Sequence, residues 1–220
     1  MFLGRASLRR MVHKRVSLGG VLITAALAMA GCPARDGAGG SVTLDGARKA
    51  AVDAGPSPAT CPIPFDVPAA LPGDQAVEPG TVEVETSTTT TPAADPLAAQ
   101  RNQGMSALDA VAGVSIACGY DVDGRTVDTW LVATAGPGAV NLMAPRIASA
   151  AGLDMTQLRE FLARPPEPGE VTVTPGGDVA VARIRVEGDG DASLLVDPDG
   201  VVTGDALREM AKTLATQIDL

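Results

Sequence analysis

Histidine is nearly missing from this chain of 220 residues, and its single copy is His13. Beyond that position a Ser-His pair, an imidazole general base and histidine ligation of zinc are excluded. Aromatic residues make up 2% of the chain, and past residue 31 they are Phe65, Tyr120, Trp130 and Phe161. An interior so poor in rings must be filled by Val, Leu, Ile, Ala and Met, and stacking platforms for sugars or single-stranded nucleic acid are disfavoured. Lysine is scarce as well. A Ser-Lys arrangement would rest on Lys49, in a segment read below as a tether, or on Lys212, on the exposed side of a helix. The three cysteines include no C-x-x-C pair and have no adjacent basic residue, which argues against a redox site. Two glycine-bearing segments also fall short of catalytic motifs. Gly113-Val114-Ser115-Ile116-Ala117 lacks the closing glycine of a nucleophile elbow. Gly136-Pro137-Gly138 lacks the spacing of a dinucleotide loop and the lysine of a phosphate loop, so it reads as a helix-entry turn. These absences predict a protein that is not an enzyme and needs no cofactor.

What the chain does have is a marked N-terminus. Arg5, Arg9, Arg10, Lys14 and Arg15 form a basic head, and residues 16–30 form an apolar stretch ending in small side chains, the layout of an export signal. The stretch is shorter than the roughly 20 apolar residues that span a bilayer, and no later run is longer. Its end, Leu27-Ala28-Met29-Ala30-Gly31-Cys32, resembles the lipobox of a bacterial lipoprotein, with Met29 where that family usually has leucine. The resemblance implies removal of residues 1–31 and acylation of Cys32 on its sulfur and its new amino group. The rival is a plain secretory signal cut after Ala30, since Ala28-Met29-Ala30 also fits a small-x-small site. Cysteine arithmetic favours the lipoprotein: lipidating Cys32 leaves Cys61 and Cys118 as an even pair, whereas simple secretion leaves an odd thiol. Each buried CH₂ of an acyl chain contributes about 0.8 kcal/mol, so one chain holds marginally and two or more hold durably.

Cleavage before Cys32 leaves 12 basic and 26 acidic residues, a net charge of −14. Such a surface repels phosphate backbones and anionic headgroups, so the expected partners are the membrane, reached through lipid, and a protein of the envelope, with no nucleic acid. Residues 32–60 are rich in Gly, Ala, Pro, Ser and Asp and are read as a flexible tether; residues 43–54 have helical potential but nothing evident to anchor it. Residues 61–220 are read as a single α+β domain: an antiparallel sheet of about five strands packed against helices.

Within that domain, residues 81–85 alternate like a strand, and a hydroxyl-rich loop follows at 87–91, solvated or O-glycosylated. Residues 95–111 suggest a helix weakened by Gly104. Strands at 114–120 and 126–135 flank Asp121-Val122-Asp123-Gly124-Arg125, a hairpin turn. Pro145 suits the first turn of a short helix, and Asp154 with Gln157 forms a capping box ahead of Leu158, Phe161 and Leu162. Three further strands, at 171–174, 178–186 and 192–196, make a meander. Thr203 then caps a helix whose Leu207, Met210, Ala211, Leu214 and Ile218 form one apolar stripe.

Export permits Cys61 and Cys118 to pair, and a bridge closing so long a loop stabilises by about 2–4 kcal/mol. Cys61 and the Cys118-Gly119-Tyr120 strand also resemble small actinobacterial envelope lipoproteins of unknown function, which implies an antiparallel sheet backed by helices. Glu187, Asp189, Asp191, Asp197 and Asp199 imitate part of a calcium loop, but Ala192 stands where that loop needs glycine, so they are read as acidic turns without a metal. Arg183 and Arg185 share a strand face, read first as the wet side of an antiparallel sheet, with an anion-binding or partner-facing ridge as the alternative. Tyr120 and Trp130, on neighbouring strands, are core residues or the walls of an apolar ligand groove. The expected function is a non-catalytic interaction or accessory module, with a carrier or sensor of a small apolar ligand as the alternative. A chamber between the Trp130 strand and the C-terminal helix would mark the carrier.

Overall fold

The computed structural model describes residues 41–220. Two antiparallel units lie side by side in a single mixed sheet. In the first, β3 (Val114–Val122) and β4 (Arg125–Thr134) form a hairpin, and β2 (Val77–Thr86) pairs antiparallel with β3. The turn places Asp123 and Gly124 at positive φ, as a tight hairpin with matching strand twist demands. In the second, β5 (Val171–Val173), β6 (Ala180–Val186) and β7 (Asp191–Asp197) form the expected meander. Pairing of β4 with β7 joins the units, giving the order β1-β6-β7-β4-β3-β2 with β5 also beside β6.

The expectation of about five antiparallel strands is therefore corrected to a mixed sheet of seven strands among the described residues. The parallel member is β1 (Ser41–Val42), which lies beside Arg185 and Val186 while β5 pairs nearer the start of β6. At the opposite edge, β2 carries Glu78, Pro79, Glu83 and Glu85 and has a register shift between Pro79 and Val82. Charge, proline and irregularity blunt an edge against further strand addition.

Period-2 alternation sends side chains to two separate cores. One face holds Ile116, Cys118, Leu131, Ala182, Leu194 and their neighbours beneath α1 (Leu44–Ala54), α2 (Val67–Ala70) and α8 (Gly204–Thr216). The other holds Val132, Val181 and Leu195 beneath α5 (Ala139–Leu142), α6 (Ala144–Ala150) and α7 (Met155–Leu162). The fold is a three-layer α/β/α arrangement. Its C-terminal helix behaves as its stripe requires, with Leu207, Met210 and Leu214 fully buried. Ile218 is buried too but lies past the end of α8, and the Thr203 side chain makes no capping hydrogen bond. The expected break at Gly104 separates α3 (Pro96–Gln103) from α4 (Ala107–Ala110), with Gly104 left-handed at φ 69°. Asp154 and Gln157 form the reciprocal capping box at α7.

The tether expected over residues 32–60 is corrected from Ser41 onward; residues 32–40 lie outside the described residues. Helix α1 belongs to the main core, with Ala47 and Ala51 buried against the sheet. Thr43 caps it by accepting from the Gly46 amide at 2.9 Å, and the Thr43 amide donates to the Leu220 carbonyl at 2.7 Å. Arg48 donates to the Ala112 carbonyl at 2.6 Å. Its buried face is made of alanines, which give a weak periodic signal, and its anchors come from the far end of the chain. Cys61 and Cys118 form a disulfide with Cα atoms 5.7 Å apart, tying the segment after α1 to β3.

Gly46 distinguishes an anchored helix from a tether by sign. In a solvated helix Gly→Ala stabilises by about 1 kcal/mol, but here a Cβ would stand 2.2 Å from the Leu220 carbonyl carbon. Gly46→Ala is expected to destabilise the protein by about 1–3 kcal/mol in chemical denaturation, the usual cost of overpacking.

Candidate functional site

A buried carboxylate organises a cleft at the end of the sheet. Asp191 opens β7, in phase with Ser193 and Leu195, and so points to the face covered by α5–α7 rather than into a solvated turn. Its side chain is 6% exposed. Its Oδ2 accepts from the Gly138 and Ala139 amides at 2.8 and 3.0 Å, and its Oδ1 accepts from Arg183 Nε at 3.0 Å. Together these bonds satisfy a charge whose burial would otherwise cost several kcal/mol. Thr134 at the end of β4 secures the same loop by donating to the Gly136 carbonyl at 2.6 Å. Gly138 sits at φ 110°, and Gly190, at φ 134°, brings its Cα so near the Thr134 carbonyl that a Cβ would stand 2.7 Å from that oxygen. Glycine is required at both positions.

The resulting cleft is about 350 Å³. Arg183 and Ser193 line it from neighbouring positions of β6 and β7. Leu162, Pro165 and Pro166 form one apolar flank, with Pro137 and Val140 among the remaining lining residues. The wet-side reading of Arg183 is corrected: its strand face is the one that buries Val181, and Arg183 stands where helical cover gives way to the cleft.

A second polar group lies on the same face of the sheet. Arg146 of α6 pairs with Asp128 at 2.5 Å and stacks over the Trp130 ring at 5.8 Å, while Trp130 Nε1 donates to Ser115 Oγ at 2.6 Å. Burial raises the Asp128 pKa above its ordinary value, with Asp197 and Glu83 adding to the rise and Arg146 opposing it. Tyr120 projects from the other face, into the core beneath α1 and α8, and burial lifts its phenol to about 12. A groove walled by Tyr120 and Trp130 is therefore ruled out, because the sheet separates them.

The hydroxyl-rich loop is ordered by Asp109, whose Oδ1 accepts from the Thr88 amide and from the Ser87 and Thr88 hydroxyls at 2.8–3.1 Å. These bonds, the Thr88 amide foremost, hold its pKa below the ordinary carboxylate value. The acidic turn residues do not converge: Asp191 serves the cleft, whereas Asp197 and Asp199 lie with Asp178 and Asp128 around another depression. Among the described residues no group of three or more His, Cys, Asp or Glu is placed to hold a metal. Cys32, the expected lipidation site, lies outside the described residues. Among the described residues no helix is long and apolar enough to cross a membrane. No family model, curated protein or solved structure matches this chain.

Arg183 is legible in the sequence as an anion-binding candidate, but Asp191 is not legible as its partner, because it groups with its acidic neighbours. The available signal was phase: an aspartate two and four residues before Ser193 and Leu195 shares the face of a buried leucine.

Two outcomes check this geometry. Asp191→Ala strands the Gly138 and Ala139 amides and Arg183, and is expected to cost about 3 kcal/mol in urea denaturation. For Asp128, a raised native pKa means that the folded protein keeps a proton the unfolded chain has released. Stability from this group is full at low pH and falls as pH rises through the window just above the ordinary aspartate value. Asp128→Asn is expected to flatten that slope in denaturation midpoints measured across the acidic range.

Proposed function

We propose that this chain is a lipid-anchored cell-envelope protein whose α/β/α domain is a non-catalytic binding or accessory module working through the cleft beside Arg183. The observation that carries this reading is the filled interior. Leu207, Met210 and Leu214 of α8 are each 0% exposed, and α8 lies across the sheet from Trp130. The chamber that a carrier of apolar ligands would need between them is occupied by the protein's own side chains. Recognition is left to the surface, and the large exposed apolar residues Val52, Leu97 and Met155 sit on three different helices rather than in one patch.

Chemistry in the cleft supports binding over turnover. Asp191 is fully engaged by two amides and a guanidinium and is no free base for Ser193. The residues after position 13 supply no imidazole to replace it. The anchor rests on the lipobox-like segment ending at Cys32 and on the even pair that remains once Cys61 and Cys118 are joined. An acidic domain gains nothing from anionic headgroups, so membrane residence falls to the acyl chains.

Intact-mass spectrometry of the protein extracted from the membranes of a bacterial host is the test. The expected species begins at Cys32 and carries added acyl mass, and Cys32→Ala moves the protein out of the membrane fraction. A mature chain beginning at Gly31 with an unmodified Cys32 sulfur would overturn the anchor.

A further inference from the structure

We infer that the cleft binds a small monocarboxylate bearing a short apolar tail, its carboxylate held by Arg183 and Ser193. This deepens the binding-module reading and rests on it.

Arg183 is pre-oriented for such a ligand. Asp191 holds it through Nε alone, and among the described residues no hydrogen bond engages its two terminal nitrogens. The side chain is 30% exposed and lines the cleft. A guanidinium fixed along one edge keeps the parallel donors that match the two oxygens of a planar carboxylate.

Ser193 adds a hydroxyl to the same opening. It is 2% exposed, it lines the cleft, and its hydroxyl makes no hydrogen bond among the described residues. Among the described residues only Arg48 Nε is a fully buried polar side-chain atom without a partner, so the Ser193 hydroxyl is open to the cleft and free to donate there. Paired with Arg183 in the β6–β7 register, it stands beside the guanidinium and can donate to the same ligand oxygen.

The charge of the ligand follows from the balance around it. Among the described residues Arg183 is the one cationic residue lining the cleft, and the buried Asp191 carboxylate behind it already offsets its charge. A monoanion is accommodated, whereas a dianionic phosphate would gain little and would meet the repulsion of a strongly acidic chain. A cation would face the guanidinium directly. The flank of Leu162, Pro165 and Pro166 offers apolar surface for a tail, and about 350 Å³ lies within the range of small-ligand sites.

The test is isothermal titration of the full mature protein, purified with its membrane anchor in detergent micelles, with pentanoate as the probe. Pentanamide, inorganic phosphate and the tripeptide Ala-Ala-Leu serve as comparisons. Pentanoate is expected to give saturable heat that pentanamide and phosphate do not. Arg183→Lys keeps the charge but loses the fork, and Ser193→Ala leaves the Asp191 bonds untouched, so it should fold as the parent does by circular dichroism. Each is expected to weaken pentanoate about tenfold, the equivalent of one charge-assisted hydrogen bond of about 1.4 kcal/mol. The inference is overturned if pentanoate gives no saturable heat, if pentanamide or phosphate binds as well, if only the tripeptide binds, or if a well-folded Ser193→Ala binds unchanged. A failure here on protein carrying acyl mass leaves the anchor standing. A bare Cys32 with pentanoate still bound does the reverse.

Discussion

The β4–β7 pairing is the constraint on which everything else depends. It joins residues about sixty positions apart, from Asp128 opposite Asp197 to Thr134 opposite Asp191, and among the described residues no other strand pairing unites the β2–β4 unit with the β5–β7 unit. Its register decides both cores at once. Leu131 and Leu194 face α8 together, while Val132 and Leu195 face α5–α7. Slipping β7 by one residue would exchange those faces and expose the leucines, which is why such a register is strongly specified wherever both sides are covered. The same register brings Asp191 level with Thr134 and hence beside the 136–138 loop, so the cleft is a consequence of strand pairing rather than a feature of one segment.

Local signals explain which elements were legible in the sequence. The β3–β4 hairpin, the meander, the α7 capping box and the stripe on α8 all express turn chemistry or periodicity within a short window. Long-range partners explain the rest. Helix α1 looked like tether because its own residues, mostly Ala, Asp, Lys and Arg, show little apolar contrast; its stability comes from Leu220, Ala112 and the sheet. A two-residue strand such as β1 has no period to detect, and it exists because an edge of β6 beyond β5 was left open to pair with it. Tyr120 and Trp130 lie on adjacent strands as expected, yet their opposite faces follow from a register in which Tyr120 pairs with Val127 and Trp130 with Ala117. The cleft was the least legible part, because Arg183 and Asp191 acquire their meaning only from each other.

Scarcity of aromatic residues shapes the layers. The fully buried positions include Ala47, Ala139, Ala180, Ala192 and Ala211, small side chains that let helices approach the sheet closely. Leu, Ile and Met fill the remaining space, with Leu194, Leu207, Met210 and Leu214 leaving no exposed surface between α8 and the sheet. Concave surface is found where the layers end, as where α5 and the segment after α7 leave β6 and β7 partly uncovered.

At that boundary the protein keeps an arrangement that an apolar core would not need. A salt bridge of this depth contributes little net stability, since desolvating the ions offsets much of their attraction. Its effect is positional. The Asp191 carboxylate fixes a glycine-rich loop through two amides and turns one arginine edge-on, and both are held before anything binds. Groups fixed in advance lose less entropy when a partner arrives. A carboxylate that served only to cap a loop would require neither the arginine behind it nor a serine hydroxyl opening onto the same cleft. The conjunction of all three around one opening is what a recognition site requires and what packing alone leaves without a reason.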